Sequence, residues 1–157
     1  RIIGLFDANY DPLGVNYSTI QSKIAVGSGG FFGKGFGQGT QVQLGFLPEP
    51  GTDYILSSIT EEWGLAGGSL VLFLLGFALF RMMRVGFYAE SNFYRFLCLG
   101  AVIMFMTQII INVSSALGMF PVIGITLPFV SYGGSSLLIN AMLIGIVQSG
   151  AAYRSLS

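Results

Sequence analysis

Histidine is absent from this chain, cysteine occurs once, and charged residues fill only 9% of its 157 positions. Each scarcity closes a class of chemistry. Without imidazole, the commonest general base and metal ligand at neutral pH is missing, so acid–base work falls to carboxylates, lysines or tyrosines. The single Cys98 lies inside an apolar run, which leaves no intrachain disulfide and no thiolate metal site. Seven Lys and Arg balance seven Asp and Glu without any basic stretch. A nucleic-acid partner, which needs a basic footprint, is not expected.

What the chain holds in quantity is hydrocarbon. Hydrophobic residues make up 53% and the mean hydropathy is +0.74, the composition of a membrane protein. Polarity is unevenly spread: Asp7, Asp11, Glu49, Asp53, Glu61 and Glu62 precede Trp63, and only Glu90 follows it. Residues 1–62 are therefore read as a polar, Gly-rich part and 63–157 as an apolar one. Arg1 opens the chain with neither Met nor a signal-peptide pattern, and a fragment with upstream helices elsewhere is expected.

Three membrane spans are predicted, at about 63–80, 96–120 and 135–152, each suited to a hydrocarbon core of about 30 Å. Arg81, Arg84, Arg95 and Arg154 flank one side of them. The positive-inside rule then places the 81–95 loop and the C-terminus in the cytoplasm, with 1–62 and 121–134 outside. The 121–134 loop is too apolar for free solvent, and a re-entrant-like course that packs back toward the membrane is expected.

Within the outer part, Tyr17, Ile20 and Ile24 recur at helical spacing opposite Ser18, Gln21, Ser22 and Lys23, the pattern of a short helix in the interface plane. Residues 27–39 hold seven glycines interleaved with Phe31, Phe32 and Phe36. Ser28 and Gly35 stand where a Walker loop needs Gly and Ser or Thr, and the dinucleotide fingerprint fails as well. No nucleotide is expected.

Asp53 is the sharpest candidate for chemistry. Thr52-Asp53 also reads as a helix start, where either residue would cap for about 1 kcal/mol. Ser58 to Glu61 fits a capping box, and Glu62 suits a positive helix end. On one helix Asp53 and Glu61 would stand about 12 Å apart, beyond the roughly 5–9.5 Å of paired glycosidase carboxylates. A lone carboxylate suits a donor that already carries a good leaving group, such as a glycosyl diphosphate, where only the attacking hydroxyl needs a base. The departing charge then calls for cations, from Lys23, Lys34 or a divalent metal such as Mg2+ or Mn2+. In the spans, Gln108, Asn112, Ser115 and Asn140 read as interhelical hydrogen-bonding groups. Met104, Met106, Met119 and Met142 read as packing.

Several segments carry a resemblance: Asp11-Pro12-Leu13-Gly14, Ile20-Gln21-Ser22, Gly27-Ser28-Gly29-Gly30, Gly33-Lys34-Gly35, Gly39-Thr40-Gln41, Leu47-Pro48-Glu49, Thr52-Asp53, Glu61-Glu62-Trp63-Gly64 and residues 127–136, LPFVSYGGSS. In this order they resemble the SEDS family (shape, elongation, division and sporulation) along nearly the whole chain. The resemblance implies an all-α polytopic protein of the bacterial inner membrane. This chain would hold three transmembrane helices and a large extracytoplasmic loop with short interfacial helices, part of a roughly ten-helix bundle. It implies a peptidoglycan glycosyltransferase that polymerises lipid II at the outer membrane face, with a class B penicillin-binding transpeptidase as partner. The family's essential outer-loop aspartate aligns with Asp53, implying a general base on the acceptor hydroxyl. Lys23, Lys34, Gln41, Thr52, Ser131 and Tyr132 are candidate substrate contacts. Gly39 to Gln41 and Gln43 to Leu47 resemble the elongation branch more than the division branch. Where the family commonly has His before Thr-Asp, this chain has Gly51. Two other readings stay open: a flippase for the lipid-linked precursor, and a non-catalytic membrane scaffold for a transpeptidase.

Overall fold

The computed structural model describes residues 17–47, 49–89 and 91–154, with side chains as far as 150. The expectations attached to Arg1, Asp7, Asp11 to Gly14, Pro48, Glu90 and the Arg154 side chain lie outside what is described. The apolar runs form helices, and no strand occurs among the described residues: α1 is Tyr17–Ser28, α2 Thr40–Gln43, α3 Ile55–Phe87, α4 Asn92–Ala116 and α5 Gly134–Arg154.

Helix α3 runs well past the stretch 63–80 at both ends: it continues to Phe87, and on the other side a helical segment beginning at Ile55 joins it across a kink. Its one break is Gly64, at φ 74°, ψ −174°. There the i to i+4 ladder opens, freeing the carbonyls of Glu61 and Glu62 and the amides of Leu65 and Ala66. Such groups must find partners, and the Gly-rich loop supplies all four. Lys34 and Gly35 N–H groups donate to the Glu61 and Glu62 carbonyls at 3.0 Å each, while Leu65 and Ala66 N–H groups donate to Gly30 and Phe31 at 2.9 and 3.2 Å. The loop thus substitutes for two helical hydrogen bonds and is fastened to the kink.

Helix α4 packs antiparallel on α3, joining Asp53 to Asn112 at one end and Gly86 to Cys98 at the other, where a Cβ on Gly86 would stand 2.8 Å from that of Cys98. Met82, Cys98, Ala101, Val102, Phe105 and Val147 make the core shared with α5. Helix α1 crosses the N-terminal end of α3 and the C-terminal end of α4 on small residues. Ser22 Oγ donates to the Ala116 carbonyl at 2.7 Å and, its one proton being used, accepts from Ser57 Oγ at 2.7 Å. Ser22 and Ala25 are the residues α1 buries, while Ile24 of the predicted apolar face stays 44% exposed.

Helices α3 and α4 are long and apolar enough to cross a membrane by length and composition; the apolar stretch of α5 is shorter. Only 11% and 28% of the most apolar windows of α3 and α4 are buried within the chain. The central helix of a water-soluble core would be mostly buried, so these helices turn hydrocarbon outward, Phe73, Phe77, Phe96 and Ile103 among it. This architecture fits an all-α membrane protein.

Candidate active site at the Asp53 turn

The segment carrying Asp53 is pinned at both ends by side chains that are almost fully buried, Leu47 and Tyr54. Between them the chain turns tightly. Glu49 adopts φ 50°, its carbonyl accepts from the Thr52 N–H at 3.2 Å, and the Thr52 hydroxyl reaches its carboxylate at 3.3 Å. Helix α3 starts only at Ile55, with Tyr54 at its N-cap and no side-chain cap bond. Neither Thr52 nor Asp53 caps it, contrary to the helix-start reading. The capping box is not formed either, since the Ser58 N–H is taken by the Tyr54 carbonyl at 3.0 Å.

Instead the turn is held from behind through its backbone. The Gly51 carbonyl accepts from the Tyr132 N–H at 2.8 Å, the Thr52 carbonyl from Ser131 Oγ at 2.7 Å, and the Asp53 carbonyl from Asn112 Nδ2 at 3.2 Å. Three successive peptide groups are gripped by α4 and the 121–133 loop. The carboxylate itself is half-buried and receives no hydrogen bond among the described residues. It borders Gly124, at φ 78°, where a Cβ would stand 3.8 Å from Asp53 Oδ2. Burial, and secondarily the charge of Glu49, push the Asp53 carboxyl above its ordinary value of 3.8. Both disfavour the anion, and a carboxylate made more basic while left unpaired is suited to taking a proton.

A second cluster, sharing no hydrogen bond with the first, forms around Glu61. Its side chain is fully buried, and Oε1 accepts from Lys34 Nζ at 2.8 Å, the Gln41 N–H at 3.0 Å and Thr40 Oγ1 at 3.2 Å. Oε2 has no partner. Lys34, 27% exposed, thus neutralises a buried charge. Removing one member of such a pair costs about 3–5 kcal/mol. Lys34→Met in the whole protein is expected to fall at the lower end, about 3 kcal/mol, and the double variant Lys34→Met/Glu61→Leu to recover part of it. Thermal unfolding in detergent measures both.

The structure places Thr52, Ser131 and Tyr132 beside Asp53, with the Tyr132 side chain 84% exposed. Ser131 Oγ is engaged twice, donating to Thr52 and accepting from the Leu127 N–H at 2.8 Å. Lys34 and Gln41 sit in the Glu61 cluster. Lys23 lies apart, its Nζ over Gly118 at the end of α4, where a cation complements the helix dipole. No three carboxylate, thiol or imidazole groups gather among the described residues. Two members of the site escaped the sequence reading. Asn112 was visible only as a polar residue in an apolar helix, and Gly124 gave no signal.

The profile of the FtsW/RodA/SpoVE cell cycle protein family matches residues 1–156, and the chain belongs to that family. It is 44% identical to a probable peptidoglycan glycosyltransferase FtsW of Trichlorobacter lovleyi, over 97% of this chain and 40% of that one. Stage V sporulation protein E of Bacillus subtilis is 42% identical, over 98% and 42%. The peptidoglycan glycosyltransferase MrdB of Escherichia coli is 41% identical, over 99% and 42%. These identities do not separate the branches. The fold matches a chain of a solved peptidoglycan synthase complex, described as coordinating polymerization and crosslinking, with TM-score 0.70 and 33% identity over 94% of this chain and 39% of that one. The chain spans about 40% of the length of these relatives.

Proposed function

We propose that the protein containing this chain is a peptidoglycan glycosyltransferase of the bacterial inner membrane that polymerises lipid II, with Asp53 as general base. The observation carrying this reading is the Asp53 carboxylate, half-buried, made more basic by its surroundings and bonded to no donor among the described residues. In the reaction, the acceptor sugar hydroxyl gives its proton to Asp53 as its oxygen attacks the anomeric carbon of the donor. The bond from that carbon to the diphosphate breaks, and the lipid diphosphate leaves with the electron pair. A Mg2+ or Mn2+ ion would neutralise that leaving group. In this reading α3, α4 and α5 cross the membrane with residues 1–62 and 121–134 outside and the C-terminus in the cytoplasm. A class B transpeptidase would crosslink the product, in keeping with the synthase complex that the fold resembles.

The test is reconstitution of the whole protein in vesicles with lipid II. Glycan polymer is the expected product. Transfer of lipid II between leaflets without polymer would replace this reading with a flippase, and neither activity, with transpeptidase binding retained, would leave a scaffold.

A further inference from the structure

Among the described residues the Asp53 carboxylate receives no hydrogen bond to orient it, and its direction is set through the backbone that bears it. A peptide group is planar, so a hydrogen bond that holds its carbonyl restrains the whole group. The bonds from Tyr132, Ser131 and Asn112 to the carbonyls of residues 51, 52 and 53 restrain the three peptide groups that flank Thr52 and Asp53. The backbone on both sides of Thr52 and Asp53 is thereby restrained, and the side-chain torsions of Asp53 remain its main freedom.

The two side chains that do this are themselves firmly placed. Ser131 is 7% exposed, its N–H donates to the Leu127 carbonyl at 3.0 Å, and its hydroxyl accepts from the Leu127 N–H. Leu127 is 1% exposed and anchors that turn. Asn112 is 2% exposed and its Nδ2 also donates to the Ile125 carbonyl at 2.9 Å. Its Oδ1 is buried without a partner among the described residues. An unpaired amide oxygen in such surroundings is unfavourable, and a leucine of similar volume would avoid it. What the amide accomplishes is a bridge between the Asp53 peptide and the loop that borders the carboxylate.

We propose that Ser131 and Asn112 are positioning residues of the polymerisation reaction, acting on the peptide groups of Thr52 and Asp53 rather than on substrate and holding the Asp53 carboxylate against the 124–131 loop. The proposal rests on the reading of Asp53 as the base. A displacement of about 1 Å at a reacting group costs on the order of 100-fold in rate, far more than it costs in substrate affinity.

The experiment compares Ser131→Ala, Asn112→Leu and Asp53→Asn in the whole protein with lipid II, each rate normalised to folded enzyme. For Ser131→Ala and Asn112→Leu, kcat is expected to fall about 10- to 100-fold while KM stays within about threefold, and Ser131→Thr, which keeps the hydroxyl, restores most of the loss. Wild-type kcat in folded Ser131→Ala and Asn112→Leu, with Asp53→Asn inactive, overturns the positioning role alone. A rise in KM at unchanged kcat also overturns it, because that marks direct substrate contact. An active Asp53→Asn overturns the base itself. Should Ser131→Ala not fold, Ser131→Cys, close in size and a weak donor, decides by the same split.

Discussion

Asp53→Asn in the whole protein is expected to lower lipid II polymerisation by about 100- to 10,000-fold, the usual contribution of a positioned general base, while the folded protein remains intact. Asparagine keeps the size of the side chain and removes only its ability to accept a proton. Because the wild-type carboxyl is raised above 3.8 by burial and then by Glu49, its basic form accumulates at a higher pH than that of an ordinary aspartate. The wild-type rate should therefore climb with pH through that raised value, and the variant should show no such limb. Stability moves the other way. A group whose folded pKa lies above its unfolded one binds protons more tightly in the folded state, so the fold loses stability as pH rises from the unfolded value through the folded one. Asp53→Asn never carries that charge, so at neutral pH it should unfold no more easily than wild type. Inactivity combined with undiminished stability distinguishes a base from a structural carboxylate. A wild-type rate, or a marked fall in melting temperature at neutral pH, would refute the assignment.

The same residue shows how far the sequence reaches. Asp53 stood out because acids are few, histidine is absent and Thr52-Asp53 matches a family motif, all of them local facts. The groups that hold it are distant: Ser131 meets Thr52 across 79 positions and Asn112 meets Asp53 across 59. No periodicity encodes such pairings. Glu61 illustrates the opposite error. Ser58 to Glu61 has the spacing of a capping box, but helix α3 had already begun at Ile55, so the Ser58 amide was satisfied and Glu61 turned to Lys34 instead. In α1 the pattern of Tyr17, Ile20 and Ile24 announced the helix, yet Ser22 and Ala25 make the crossing, because two helix ends approach too closely there for larger side chains. Apolar run length revealed the long helices well, since covering hydrocarbon depends on composition rather than on partners.

Gly64→Ala is expected to detach the Gly-rich loop from the membrane helix and to destabilise the protein by about 3 kcal/mol or more. At φ 74°, ψ −174° the backbone occupies a region open essentially to glycine, where another residue carries about 1–3 kcal/mol of strain. A Cβ at position 64 would also overlap the Gly33 amide nitrogen and the Phe31 carbonyl. Alanine relieves both by straightening α3, which restores two helical hydrogen bonds but surrenders the four that fasten loop 30–35. Lys34 then leaves Glu61 buried and unpaired, which adds to the loss. The contact is mutual, since a Cβ on Gly33 would overlap the Glu62 carbonyl and the Gly64 nitrogen, so Gly33→Ala should give the same phenotype. Gly27 belongs to the same glycine-rich stretch but lies in the last turn of α1 with nothing within 4 Å of a Cβ. Gly27→Ala should leave stability unchanged or raise it by about 0.5–1 kcal/mol, the helical preference for alanine. Limited proteolysis across residues 30–39, read beside the melting temperature, tests the contrast: rapid cleavage in Gly64→Ala and Gly33→Ala but not in Gly27→Ala. Equal resistance in all three would mean that the loop is not fastened at the kink.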